Sequence, residues 1–312
     1  MTNLEEYNEA QPLSRNQFFR DSPVGRLILL AMLALAGSII LSLATVLIGK
    51  LLGVDMTSLL QGQVEHVSEN ELYSLRILLV LNSLMVFIIP AFLFYYITDK
   101  KYLAQWGNEK NLIQNYWTWA LMLFTLSMPV VIASAWANQQ ILLPDWARQS
   151  EDNINSLIES LISNGSVLSL IFNLTVMAFL PALGEEWFFR AGIQRVLGQW
   201  FKHEWLATIV TGFLFSLLHF QFEGFLPRFL LGIILGWIFA KTRNIWVTIT
   251  LHFLFNGIQI TAAYFQSDKL DNLNKDNIPS PNWWVVSICA LICLYLLYQS
   301  PKHNTEINEY KI

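Results

Sequence analysis

The chain predicts an all-α polytopic membrane protein, a bundle of about eight transmembrane helices. Three observations carry this: 54% of its residues are hydrophobic, only 13% are charged, and the mean hydropathy of +0.43 is gathered into long apolar runs. A soluble domain carries about 25% charged residues. With so few charges the 312 residues cannot coat a water-facing surface, so the lipid bilayer must be the main solvent. The net charge of −4 offers no basic face, which excludes nucleic acid as a partner.

A span needs about 20 apolar residues. Candidate spans run over Leu27–Gly49, Ile77–Ile97, Tyr116–Ala137, from Val167 to Glu185, and over Trp205–Phe222, Phe225–Ala240, Ile245–Phe265 and Trp283–Tyr298. Backbone groups in lipid must be satisfied internally, and uninterrupted runs favour helices over a barrel. The polar stretch Met1–Arg26 is too long to be the n-region of a signal peptide, so the first span is expected to stay in the protein. Cys289 and Cys293 share a helix face and read as small hydrophobes. Tryptophans near span ends, among them Trp119, Trp146, Trp205, Trp246 and Trp283, fit an aromatic belt.

Lys and Arg concentrate on one side. Arg15, Arg20, Arg26, Lys100, Lys101, Lys110, Arg195, Lys202, Lys241, Arg243, Lys302 and Lys311 share it, against Lys50, Arg76, Arg148, Arg228, Lys269 and Lys275 on the other. The bias predicts that both termini are cytoplasmic. The polar stretches Asn138–Gly165 and Ser267–Asn282 then become loops on the far side.

From about Ser166 to Ala263 ionisable groups enter the spans, where each costs about 2.5–3.5 kcal/mol and marks a functional candidate. The first cluster is Gly184-Glu185-Glu186-Trp187-Phe188-Phe189-Arg190. Residues i and i+4 share a helix face, so Glu186 is placed to pair with Arg190 while Glu185 points elsewhere, free to act as a base. The bland alternative is a pair of acids at the cytoplasmic rim. The second cluster, Phe215-Ser216-Leu217-Leu218-His219, lies in the span Trp205–Phe222, and the third is His252-Phe253-Leu254-Phe255-Asn256. A lone histidine in an apolar helix is more often a satisfied core residue than a ligand. Two of them, with Asn256 on the face of His252, need polar partners, and the nearest are each other. Phe215 serves equally well as a neighbour of His219 or as plain core.

Brought together, a carboxylate, two imidazoles and a carboxamide can bind a water, deprotonate it and hold an oxyanion, the parts of peptide hydrolysis without a protein nucleophile. Glu185, His219 and His252 also have the donor chemistry of a zinc site, and would be its ligands if a metal is present.

The set Glu185-Glu186-x-x-x-Arg190, Phe215-x-x-x-His219 and His252-x-x-x-Asn256 resembles the three motifs of the CAAX protease and bacteriocin-processing family of intramembrane endopeptidases, which includes the type II CAAX prenyl proteases. The resemblance covers about Leu168–Ala263 with every motif position filled. It implies that Glu185 activates water, that Glu186 and Arg190 support it, that His219 is a second essential polar group, and that His252 and Asn256 hold the oxyanion or a metal. It also implies a peptide or membrane-protein substrate, prenylated or not. Residues 1–26 are then a cytoplasmic tail, 27–165 three spans with their loops, 166–265 the catalytic core, 266–299 a loop and the last span, and 300–312 a second cytoplasmic tail. The expected location is a bacterial inner membrane, with the site open toward the cytoplasm. A non-catalytic scaffold or immunity protein of the same fold is the alternative. A transporter is a weaker one, because the polar residues sit in one half rather than in two related halves.

Other patterns read as architecture. His203-Glu204 begins like HExxH but has Ala207 in the fifth position, and Gly232-x-x-x-Gly236 reads as close helix packing. Arg228 and Glu223 read as interfacial anchors. One tension stands: counted from Trp205, His219 lies about 21 Å deep, whereas His252 lies about 10 Å from Ile245. Equal depth requires the helix near Trp205 to start outside the hydrocarbon, or a break at Pro181 or Gly184.

Overall fold

The computed structural model describes residues 15–61, 67–104, 113–162, 166–265 and 279–300. Most of both polar tails and most of the Ser267–Asn282 segment lie outside the described residues. Among the described residues the regular elements are all helices: α1 (Arg15–Asp21), α2 (Pro23–Leu52), α3 (Met56–Leu60), α4 (Glu69–Thr98), α5 (Lys100–Ala104), α6 (Ile113–Gln139), α7 (Asp145–Ile162), α8 (Val167–Phe201), α9 (Glu204–Leu217), α10 (Phe225–Thr242), α11 (Ile245–Phe265) and α12 (Trp283–Tyr298). Six are long and apolar enough to cross a bilayer: α2, α4, α6, α8, α10 and α11. Helix α9, at 14 residues, and α12, at 16, are apolar but short. The protein is an integral membrane protein.

Local chemistry sets the helix ends. Ser22 caps α2 with Pro23 in its first turn, and Gly53 closes it at φ 68°. Ser68 and Glu71 form a reciprocal capping box on α4, and Ser166 caps α8. Pro90 and Pro181 lie inside α4 and α8, each just past a π-helical turn, Ser83–Ile88 and Leu174–Phe179. The wider turn takes up the register lost with the missing proline N–H, so neither helix breaks. Pro181 and Gly184 therefore do not interrupt the chain. A third π segment, Trp187–Gln194, follows the acids directly.

Helices in lipid associate through close packing rather than apolar burial, since lipid is as apolar as leucine. The Gly232 reading fits this. A Cβ there would stand 2.9 Å from Gly212 Cα, so α9 and α10 touch through two glycines.

The bundle has one basic end. Glu204 at the start of α9 meets Lys241 Nζ at 2.7 Å and Arg243 Nη2 at 2.5 Å near the end of α10. Arg195 contacts Asp99 at 3.3 Å, and Arg26 donates to Gln199. The start of α2 and the end of α12, where Trp119 Nε1 donates to Leu296 O, share this end with the start of α6. His203-Glu204 is thus a helix start tied into salt bridges. Trp119 departs from the aromatic belt: it is buried and satisfied inside the bundle.

At the opposite end, the stretch read as the loop Asn138–Gly165 contains α7, an 18-residue amphipathic helix. Its inward stripe holds Ala147, Ile154, Ile158 and Leu161, with Glu151 among them. Polar residues between the apolar positions hid this helix, whose net hydropathy is too low for a span. Its Leu161 packs with Met56, Leu59, Leu72 and Leu75.

Candidate active site

Helix α8 runs 35 residues, far beyond the expected stop at Glu185, so the acids sit near its middle. They are not at the rim. Glu185 is nearly buried, and Glu186 and Arg190 are fully so. Helix α9 starts at the basic end and stops at Leu217, and His219 lies in the turn that follows, about 20 Å along from Glu204. His219 is therefore not within a helix. The turn aims the ring, and Phe220 beside it takes φ 52°, the left-handed region in which α9 cannot continue.

His219 Nε2 and His252 Nε2 each stand 3.8 Å from Glu185 Oε2. The other ring nitrogens are committed. His219 Nδ1 lies 2.6 Å from Phe215 O, which only accepts, so that nitrogen carries hydrogen. His252 Nδ1 lies 2.9 Å from Glu186 Oε1, whose partner oxygen stands 3.0 Å from Arg190 Nε. Both rings, when neutral, therefore point an Nε2 lone pair at the Glu185 oxygen. At 3.8 Å these contacts are too long for direct hydrogen bonds, and three acceptors facing one another call for a donor between them.

Phe215 is the floor of the cluster. Its ring lies 4.8 Å from His219, 5.8 Å from His252 and 5.2 Å from Phe189, and the Arg190 guanidinium sits 5.1 Å above it. The ring face compensates part of the cost of a buried cation whose Nη atoms have no hydrogen-bond partner among the described residues. Asn256, one turn beyond His252 on α11, is half-buried and has no protein hydrogen-bond partner among the described residues. Side-chain exposure falls from 25% at His219 through 11% at Glu185 and 3% at His252 to none at Glu186 and Arg190.

The turn Leu218–Gly224 is held by side chains the motif reading missed. Asn138 Nδ2 donates to Phe222 O and Glu223 O while its Oδ1 accepts from Leu226 N. Glu151 of α7 accepts from Glu223 N, and Ser216 donates to Phe225 O. Arg228 donates to Gln221 O at 2.7 Å and Gln221 Oε1 at 2.6 Å, so it braces the turn instead of anchoring at an interface. Glu151 carried a signal in the sequence, an acid inside an apolar helical stripe. Asn138 carried none, because nothing local distinguishes it from other polar residues at a span end.

Two imidazole Nε2 atoms and a carboxylate are the donor chemistry of zinc, and the Glu186–His252 contact resembles the support such ligands receive. Among the described residues no three His, Cys, Asp or Glu already stand in a metal-holding arrangement, and Glu185, His219 and His252, with both ring nitrogens 3.8 Å from the carboxylate oxygen, are the side chains that would hold a metal were one bound.

No curated protein and no solved structure matches the chain. Residues 167–258, which hold all three polar clusters, match the family model described as type II CAAX prenyl endopeptidase Rce1-like. Residues 167–258 are thus similar to the Rce1-like type II CAAX prenyl endopeptidases, and the three motif residues that approach one another at Glu185 Oε2 all lie within that matched segment.

Proposed function

We propose that this protein is an intramembrane endopeptidase in which Glu185 activates water for attack on a peptide carbonyl. The observation that carries the reading is the approach of both Nε2 atoms to Glu185 Oε2. A water among them donates one hydrogen to Glu185 and the other to a ring nitrogen, which aims its lone pair outward at the substrate. As its oxygen bonds to the carbonyl carbon, a proton passes to Glu185 and the carbonyl electrons move to oxygen. Asn256, with an unused carboxamide N–H pair, is the donor for that oxyanion. When the C–N bond breaks, Glu185 returns the proton to the leaving nitrogen, giving a carboxylic acid and an amine. Glu186 and Arg190 do not touch substrate. They fix His252, and Phe215 fixes His219.

The basic end of the bundle is the cytoplasmic one by the Lys/Arg bias, so the two described chain ends face the cytoplasm. A bacterial inner membrane is the proposed location. The substrate is a peptide or membrane protein, prenylated or not.

The test is cleavage by purified protein in detergent or liposomes. Glu185→Gln, His219→Ala and His252→Ala should each lower kcat by about 10²–10⁴-fold, the usual worth of a general base, with insertion intact. Wild-type turnover by Glu185→Gln would refute the assigned base.

A further inference from the structure

The expected opening toward the cytoplasm does not agree with how the site is walled. Toward the basic end, the polar stripe Glu186, Arg190 and Gln194 runs down α8 fully enclosed, with Gln194 Nε2 closing onto Thr208 Oγ1 and Gly236 O. Around and below it pack Phe189, Val196, Leu197, Ala207, Phe239, Ile245 and Ile249, all buried, in one continuous cluster. Among the described residues these side chains form an apolar layer between the Glu185 carboxylate and the Glu204–Lys241–Arg243 salt bridges. On the opposite side the walls fall away. His219 is the most exposed member of the cluster, and its flanking residues Leu218 and Phe220 are both exposed. The turn that bears them is fastened to Asn138 near the far end of α6 and to Glu151 of α7, the amphipathic helix of the far end. That end exposes Glu69, Asp145, Asp152 and Glu223 against Lys50 and Arg148, a net acidic balance.

We infer that the site is entered from the non-cytoplasmic, acidic end of the bundle. Its substrates are peptides or membrane proteins that present the scissile bond at the outer border of the bilayer. The identity of the occupant as a substrate rests on the peptidase reading above; the side of entry does not.

The side of entry is tested by cysteine accessibility in cells. Cys289 and Cys293 are replaced by serine or alanine, and single cysteines are introduced as Phe220→Cys beside the site, Glu69→Cys at the acidic end and Lys101→Cys at the basic end. A membrane-impermeant maleimide is applied before and after permeabilisation. The inference expects Phe220→Cys and Glu69→Cys to react in intact cells, and Lys101→Cys to react only after permeabilisation. Reaction of Phe220→Cys only after permeabilisation would overturn it. So would failure of Phe220→Cys to react in either state, since the flank of His219 would then face lipid. Should Phe220→Cys insert poorly, Leu218→Cys on the other flank answers the same question. Labelling needs no turnover. A protein with the expected pattern and no proteolysis would sink the peptidase reading while leaving the side of entry in place.

Discussion

Glu186 Oε1 lies 2.9 Å from His252 Nδ1, and this contact decides which nitrogen of His252 faces Glu185. A carboxylate only accepts, so Nδ1 must carry the hydrogen and Nε2 is left to the site. Glu186→Gln keeps the size but can present its amide N–H₂ to the ring, which lets the other tautomer form. By analogy with the orienting acid of a catalytic triad, the expected loss is about 10²–10⁴-fold in kcat. KM should change little, because Glu186 is fully buried and cannot meet substrate. Steady-state kinetics on reconstituted protein check the split.

Arg190 neutralises Glu186 inside the bundle, where neither side chain has any exposure. Removing one partner of such a pair leaves an uncompensated charge and costs about 3–5 kcal/mol. Arg190→Met should therefore lower the thermal unfolding midpoint sharply. The double variant Glu186→Gln/Arg190→Met removes both charges and should recover much of that stability without recovering activity. Thermal melts in detergent, run beside the cleavage assay, separate the two effects.

Asn138 satisfies three backbone groups of the turn that carries His219. Each buried group left without a partner costs about 1–3 kcal/mol. Asn138→Ala should destabilise the protein and slow turnover, although residue 138 lies outside the family-matched segment. Asn138→Asp keeps the acceptor for Leu226 N but sets its second carboxylate oxygen against two carbonyl oxygens in a buried site, so it should melt no higher than the alanine variant.

Gly232 admits no side chain, because its Cβ would fall 2.9 Å from Gly212 Cα. Gly232→Leu should cost about 1–3 kcal/mol by forcing α9 and α10 apart, and it should displace the His219 turn that joins them. Gly257→Ala is the matched control. There the nearest atom to a new Cβ is Leu174 Cδ2 at 3.6 Å, an ordinary contact, and stability should hold.

The residues of the site were legible because ionisable groups are costly in lipid, so Glu185, Glu186, Arg190, His219 and His252 stand out against an apolar background. The i, i+4 rule likewise names Glu186 and Arg190 as partners. Depth was not legible. Counting along apolar runs placed His219 inside a helix and ended the fourth span at Glu185, because composition alone does not reveal that α8 continues to Phe201 or that α9 stops at Leu217. The amphipathic α7 escaped notice for the same reason, since a helix lying across the bundle end need not be apolar throughout.

By itself, then, the sequence determined the solvent, the helical class, the basic end and the identity of the polar residues, all of which follow from local free energies of transfer. Tertiary structure alone decided that two ring nitrogens from different elements point at one oxygen, that Asn138 and Glu151 hold the turn that carries one of them, and that buried apolar side chains pack on the basic-end side of Glu185. Those outcomes depend on contacts between residues far apart in the chain, whose energies exist only once the helices have packed.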